Sequence, residues 1–237
     1  MNIRVGCCGF SEAHHKYFTH FDLVEIQSTF YQPPRCSTAT KWRQSAPENF
    51  EFTLKAWQLI THKPSSPTYR RLKEPLPQKK KPKYGFFKPT KEVFSAWEVT
   101  KEFAVALEVK FILFQCPASF RSTEENIENL KTFFKTIDRV PFRLVWEPRG
   151  PWAPDLIKDI CQELDLIHSV DPLRSESFSD SFKYYRLHGL TGYRYKYTDE
   201  DLLKLKEICC QSENVYCLFN NIAMKDDALR FKKLINS

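Results

Sequence analysis

The chain has 237 residues and a net charge of +7; 42% of its residues are hydrophobic and 15% are aromatic. This composition excludes a disordered chain and is sufficient for a sizeable core. No apolar run reaches the roughly 18 residues of a membrane span, and no signal peptide precedes the first strand-like segment. We therefore expect a cytoplasmic protein with no membrane partner.

The first quarter of the chain alternates short apolar runs with polar segments, which is typical of buried strands joined by helices. Strands are predicted at residues 3–8, 23–26 and 50–56. A short polar helix is predicted at residues 11–20, and a second helix carries Trp42. The second strand contains Glu25, and an acid inside an apolar run requires a partner or a function.

Residues 63–90 form a basic, proline-rich segment after the third strand. The segment holds six prolines and nine Lys or Arg residues against one acid, Glu74, so it accounts for the positive charge of the whole chain. Without apolar periodicity it is expected to be a long loop or insertion. Aromatic residues interleave with the charges. A charge run of this kind usually forms a solvated, mobile loop, and contact with a nucleic-acid backbone is the alternative. The candidate contact residues are Arg70, Arg71, Lys79, Lys80 and Lys81.

The rest of the chain repeats a strand followed by a helix. Strands are predicted at residues 111–115, 142–146, 166–170, 182–187 and 215–219. Helices are predicted at residues 90–110, 122–137, 154–164 and 198–210, with an amphipathic helix at the end. Eight such units imply right-handed crossovers and a parallel sheet, so we predict an α/β protein with a single (β/α)8 TIM-type barrel over residues 1–237.

Eight cysteines are present, but their spacing does not favour a disulfide or metal framework. Two adjacent pairs and four scattered residues contain no CxxC. Zinc and iron–sulfur sites usually show ligands two to four residues apart. We expect most of these thiols to be buried as small hydrophobic side chains.

Polar residues follow almost every apolar run, at the strand ends where barrel enzymes collect their reactive groups. These residues are Glu25, Lys55, Gln115, Glu147, Arg149, Asp171, Arg186, His188, Asn220 and Asn221. Two structural alternatives remain open: Glu25 with Lys55 or Arg186 as a buried ion pair, and Asp171 as a turn residue. Convergence of the whole set on one face favours a functional site.

Two chemistries fit the catalytic candidates Glu147, His188, Asp171 and Glu25. Their oxygen and imidazole ligands suit Mg²⁺, Mn²⁺ or Zn²⁺, although no HxH or HExxH spacing supports a metal. Without a metal, Glu147 or His188 serves as general base while Arg149, Arg186 and Lys55 stabilise an anion.

The strand at residues 182–187 leads into a Gly-Leu-Thr-Gly loop, Gly189–Gly192, beside Asn220 and Asn221. Barrels often bind phosphate at the loops after their seventh and eighth strands. Tyr193 lies next to Arg194 and is a candidate to stack on a base or sugar ring, or simply to pack the loop. No GxGxxG, P-loop or GxSxG motif is present.

The chain resembles the YecE-like family, catalogued as domain of unknown function 72. The resemblance covers nearly the whole chain and is carried by IRVGCCGF, VEIQSTFY, FTLKAWQLITH, FQCPASF, WEPRGPW, YYRLHG and the late FNN. It implies a TIM-type barrel and no established reaction. It also implies a pocket lined by Glu25, Tyr31, Lys55, His62, Glu147, Arg149, Asp171, Arg186, His188 and Asn220. Gln27 departs from the usual asparagine, Cys8 sits near the opening glycines, and Trp146 and Pro148 flank Glu147.

Three functions are compatible with these features. The first is a hydrolase or lyase acting on an anionic, phosphate-bearing substrate, with nucleic acid as one candidate, at the C-terminal face of the barrel. The second is a non-catalytic nucleic-acid-binding protein that uses residues 63–90. The third is a scaffold whose polar pocket is a structural ion-pair network.

Overall fold

Eight parallel strands form a closed barrel in chain order, and the first strand pairs with the last. The structure is a computed structural model that describes residues 2–236. The strands are β1 (Asn2–Cys7), β2 (Leu23–Ile26), β3 (Glu51–Lys55), β4 (Phe111–Gln115), β5 (Arg143–Glu147), β6 (Ile167–Val170), β7 (Lys183–Leu187) and β8 (Asn214–Phe219). The predicted TIM-type barrel is confirmed.

Helices cover the outside of the barrel. They are α1 (His14–His20), α2 (Ser28–Tyr31), α3 (Cys36–Ser45), α4 (Gln58–Thr61), α5 (Lys91–Leu107), α6 (Glu124–Thr136), α7 (Pro154–Leu164), α8 (Asp199–Cys209) and α9 (Met224–Ile235). Thr90, Thr123 and Thr198 cap their helices through side-chain hydrogen bonds to backbone N–H groups. No helix spans the connection from β6 to β7 within residues 2–236.

Two apolar clusters pack the fold. The larger one fills the space between barrel and helices, whereas the smaller one fills the barrel interior. The interior cluster consists of Cys8, Leu23, Phe111, Leu113, Val145, Ile167, Phe182, Tyr184, Tyr216 and Leu218. Aromatic and branched side chains therefore close the lower barrel, and polar side chains occupy its C-terminal end.

The basic segment at residues 63–90 is folded against the barrel. It contains two 3₁₀ helices, Pro67–Arg71 and Gln78–Lys83. At its end, Gly85 donates its backbone N–H to the Leu59 carbonyl, and Phe86 and Phe87 are buried in the core. These two phenylalanines are part of the hydrophobic packing, so they are not available to stack on a nucleic acid.

In the described part of the chain, no helix has the length and apolar character needed to cross a membrane.

Candidate active site

Side chains two residues apart on a strand face the same side of the sheet, and this spacing builds the site. On β7, Tyr184 and Arg186 point into the barrel, and His188 follows in the same direction. Glu147 and Arg149 repeat the spacing at the end of β5. These residues converge on the C-terminal end of the barrel interior, as the sequence predicted.

Glu25 and Arg186 form a fully buried ion pair at the centre of the site, and both are 0% exposed. Arg186 donates from Nη2 to Glu25 Oε1 at 2.8 Å and from Nε to both carboxylate oxygens at 3.1 Å. The Tyr184 hydroxyl donates to Glu25 Oε2 at 2.7 Å, and Gln27 also donates to this carboxylate. The acid inside the second strand therefore has its partner across the barrel, and every contact of Glu25 is internal.

Glu147 lies between two arginines. Its Oε2 accepts from Arg186 Nη1 at 2.5 Å and its Oε1 accepts from Arg149 Nε at 2.6 Å. Burial alone disfavours the charged carboxylate, but Arg186 and then Arg149 outweigh it and hold the pKa of Glu147 well below its ordinary value. Glu147 is therefore ionised throughout the neutral range.

His188 sits at the entrance to the site, with its side chain 23% exposed. Asn220 Nδ2 lies 3.0 Å from its Nδ1, Arg149 Nη2 lies 2.6 Å from its Nε2, and Glu147 Oε1 lies 3.4 Å from its Nε2. Because a guanidinium can only donate, Nε2 accepts from Arg149 Nη2, and the proton of the neutral ring is therefore on Nδ1, facing the side-chain amide of Asn220. Burial lowers the pKa of His188 although Glu147 opposes this shift, so the imidazole is neutral at neutral pH.

Asp171 and the two asparagines position the neighbouring loops. Asp171 Oδ2 accepts the backbone N–H of His188 at 3.0 Å, and burial raises the pKa of this carboxyl. Asn220 contacts the His188 ring, whereas buried Asn221 donates to the Tyr195 carbonyl and to Asp227. The structure thus brings Asn220 into the site and places Asn221 in the support beneath it.

The Gly189–Gly192 loop lies directly after His188. Gly189 has φ +83°, and a Cβ there would lie 2.3 Å from the Gly192 carbonyl oxygen, so the turn requires glycine. Arg174 donates to the Gly189 and Leu190 carbonyls and holds the loop from outside. Tyr193 is 61% exposed beyond it.

Lys55 ends β3 on the opposite side of the site and is 7% exposed. Its Nζ lies 3.6 Å from the centroid of the Phe30 ring. The rings of Tyr31 and His62 pack edge-on against Phe30, and Arg71 of the basic segment lies over Tyr31 at 3.4 Å. These predicted pocket residues therefore surround Phe30, and Arg71 connects the basic segment to them.

Burial lowers the pKa of both Lys55 and His62, but only Lys55 then titrates near neutral pH. Burial, followed by repulsion from Arg186, lowers the pKa of Lys55 to about 7. Burial and the neighbouring Lys55 lower the pKa of His62 to about 3, so this histidine is neutral. His62 Nδ1 pairs with the Thr61 hydroxyl at 2.8 Å. Lys55 is therefore the titratable group of this wall.

A profile of the family "Protein of unknown function DUF72" matches residues 8–236. The chain belongs to the DUF72 family. It is 23% identical to UPF0759 protein YunF of Bacillus subtilis (strain 168) over 253 residues, covering 92% of this chain and 84% of YunF. The crystal structure of a DUF72 family protein from Enterococcus faecalis V583 matches with a TM-score of 0.77 at 21% identity, over 100% of this chain and 98% of that one. The DUF72 family protein of Thermotoga maritima MSB8 matches with a TM-score of 0.73 at 20% identity, over all of both chains.

Enzymes share the fold of this DUF72 chain at lower similarity. A structure titled AP endonuclease, family 2, from Brucella melitensis matches with a TM-score of 0.56 at 9% identity, over 96% of both chains. A structure titled SacUVDE matches with a TM-score of 0.63 at 10% identity, over 100% of this chain and 98% of that one. These likenesses establish the barrel fold and show that some of its neighbours are enzymes.

The donor set of this DUF72 chain does not fit the Mg²⁺ or Mn²⁺ ion considered from the sequence. Within residues 2–236, no three His, Cys, Asp or Glu side chains are grouped to hold a metal. The oxygens of Glu25 and Glu147 are already engaged by Arg186, and Asp171 accepts two backbone N–H groups. The Arg186 guanidinium takes the central cationic position between the two carboxylates.

Sequence reasoning missed two side chains that shape the site. Tyr184 supports Glu25, and its position two residues before Arg186 was a usable signal for the same face. Phe30 places the Lys55 amine, but it lies in a short helix whose orientation no periodicity reveals.

A charged cleft at the N-terminal end of the barrel is a less suitable site. Its volume is about 330 Å³, and Arg4, Glu51 and Lys110 are among its lining residues. Glu51 pairs with Arg4 at 3.3 Å and with Lys110 at 3.2 Å. Because these charges pair with one another at the end of the barrel that usually serves stability, the opposite end is the better candidate site.

Proposed function

We propose that this protein is an enzyme that acts on an anionic, phosphate-bearing substrate at the C-terminal mouth of the barrel. The observation that supports this function is the charge arrangement of the site. The two buried carboxylates are balanced by Arg186 and Arg149, so the pocket carries an excess positive charge whenever Lys55, with its pKa lowered to about 7, is protonated. An entering anion compensates that charge.

Arg149 is the main anion ligand in this proposal. Its side chain is 38% exposed, whereas Arg186 is fully enclosed by its partners. The Gly189–Gly192 loop lies on the same side of the mouth, in the position where many barrels bind phosphate. Arg186 therefore acts as an internal support for the pocket, and Arg149 faces the substrate.

His188 is the proposed general acid–base residue. It is neutral at neutral pH and partly exposed, and Asn220, Glu147 and the backbone contact with Asp171 fix its orientation. Glu147 is a weaker candidate for proton transfer because its pKa is held low by two arginines. We therefore propose that Glu147 positions His188 and stabilises the positive charge that develops on its ring when it takes up a proton.

Nucleic acid is the favoured substrate class. Arg71 over Tyr31 connects the basic segment to the wall of the site, so a strand whose phosphate occupies the pocket has further cationic contacts beside it. Arg70, Lys79 and Lys80 are exposed on this segment and Lys81 is half-buried. An extended polyanion uses such a surface better than a small metabolite does.

The test is an assay of end-labelled single- and double-stranded DNA and RNA in EDTA, Mg²⁺ or Mn²⁺. We expect cleavage by the wild type and a loss of about 10²-fold or more in His188→Asn. Arg149→Gln should weaken binding, whereas Lys158→Gln, which removes one charge from an exposed face of α7, should match the wild type. Absence of turnover on all nucleic acids and on a panel of sugar phosphates would contradict the proposal.

Non-catalytic binding of nucleic acid is the second candidate, favoured by the exposed Lys79 and Lys80. It predicts salt-sensitive binding without cleavage. Changing Lys79–Lys81 to Gln should reduce the slope of log affinity against log salt by about 3. The matched control changes Lys41, Lys158 and Lys204, three exposed lysines of other helices, and should leave binding unaltered.

A further inference from the structure

In the described part of the chain, the amine of Lys55 has no hydrogen-bonding or negatively charged partner that would hold it as an ammonium ion. Among residues 2–236, its Nζ makes no hydrogen bond or ion pair, and its close contact is the face of Phe30 at 3.6 Å. The two nearby carboxylates are committed to other groups, Glu25 to Arg186 and Glu147 to Arg186 and Arg149. A lysine kept for its charge alone is expected to pair with one of them.

The backbone holds this amine in a fixed position. Lys55 is the last residue of β3 and pairs with Leu113 of β4, and its carbonyl accepts the Thr29 hydroxyl at 2.7 Å. The Phe30 ring supports the end of the side chain without accepting a strong hydrogen bond from it. The nitrogen is thus placed in the pocket with its lone pair available once the proton has left.

The surroundings favour the neutral amine. Burial and the nearby Arg186 lower the pKa of Lys55 to about 7, so the free amine is populated at neutral pH. Desolvation and a neighbouring cation are the two conditions that activate lysine as a nucleophile. The exposed lysines of the basic segment lack this burial.

We propose that Lys55 Nζ forms a Schiff base with the carbonyl carbon of a phosphate-bearing aldehyde or ketone. The amine attacks the carbonyl carbon, a C=N bond forms, and the carbonyl oxygen leaves as water with the two hydrogens of the amine. This inference rests on the proposed function, because Arg149 and the Gly189–Gly192 loop would hold the phosphate. Of the two enzyme classes considered from the sequence, hydrolase and lyase, it favours a lyase.

The test is reductive trapping with sodium borohydride, in which hydride converts the imine into a stable secondary amine. The probes are glyceraldehyde 3-phosphate, unphosphorylated glyceraldehyde, and a DNA duplex with one abasic deoxyribose. Peptide mapping of the wild type should find Lys55 modified at least 10-fold more than Lys79, Lys80 or Lys81. Lys55→Arg keeps a positive charge and should lose this adduct, and its circular dichroism spectrum checks folding.

The outcomes separate the inference from the proposed function. Trapping at Lys55 by the abasic duplex assigns the carbonyl to nucleic acid, and trapping by the sugar phosphate alone assigns it to a small molecule. Equal trapping of glyceraldehyde with and without phosphate supports the Schiff base but contradicts the phosphate-binding proposal. If glyceraldehyde 3-phosphate binds and Arg149→Gln abolishes binding, yet label spreads evenly over the lysines, the Schiff base is overturned and the phosphate site stands.

Discussion

Replacing Glu25 by Gln tests the ion pair at the centre of the site. The substitution keeps the shape of the side chain but removes the charge that faces Arg186, and it turns one oxygen into an N–H donor. Arg186 makes contacts of 2.8–3.1 Å to Glu25, and both side chains are 0% exposed. Removing one partner of such a buried pair costs about 3–5 kcal/mol, because the remaining charge is left uncompensated.

In a domain of this size, that cost corresponds to a fall in Tm of roughly 10 °C. Thermal and urea unfolding followed by circular dichroism measure it. The matched control is Glu163→Gln, which removes an exposed carboxylate from its pairs with Lys131 and Lys135 and should change stability by less than about 1 kcal/mol. If Glu25→Gln is as stable as Glu163→Gln, Arg186 does not depend on Glu25 and our description of the site is wrong.

Three further predictions concern the same end of the barrel. Lys55→Met should raise the free energy of unfolding at pH 7 by a few kcal/mol. Because the pKa of Lys55 is lower in the folded protein than in the unfolded chain, the stability of the wild type increases from pH 7 to 10. The difference in stability between the two proteins therefore shrinks over this range. The lowered pKa of Glu147 contributes stability above about pH 4 that is lost as the pH falls, so Glu147→Gln should show weaker acid destabilisation. Gly85→Ala should destabilise the protein by more than about 2 kcal/mol and expose residues 63–90 to trypsin, since its Cβ would lie 2.2 Å from the His62 carbonyl oxygen; Gly192→Ala has free space and should cost less.

The barrel could be predicted from the sequence because each unit carries its own local signals. Short apolar runs such as 111–115 define strands, and capping residues such as Thr123 and Thr198 mark helix starts. The short helices α2 and α4 were missed, since four residues contain too little periodicity to be recognised. The two 3₁₀ helices of the basic segment were missed for the same reason.

The convergence of these polar residues was also predictable, because residues at strand ends meet at one end of a barrel. The division of roles among them was not. The sequence offered Lys55 or Arg186 as the partner of Glu25, and only the closed barrel shows that it is Arg186, 161 residues away in the chain. The environment of Lys55 likewise depends on Phe30, whose orientation follows from tertiary packing. The local sequence identifies which polar side chains converge, whereas the three-dimensional structure shows which of them form ion pairs with one another and which do not.

The most direct test of the central claim is an NMR titration of the ¹⁵N-labelled protein with a phosphorylated trinucleotide. We predict that the largest shifts fall on Arg149, His188 and the Gly189–Gly192 loop, with smaller shifts at Arg71, and that Arg149→Gln removes them. Shifts confined to Lys79–Lys81, or centred on Arg4 and Lys110 at the opposite end of the barrel, would contradict a phosphate-binding active site at the C-terminal mouth.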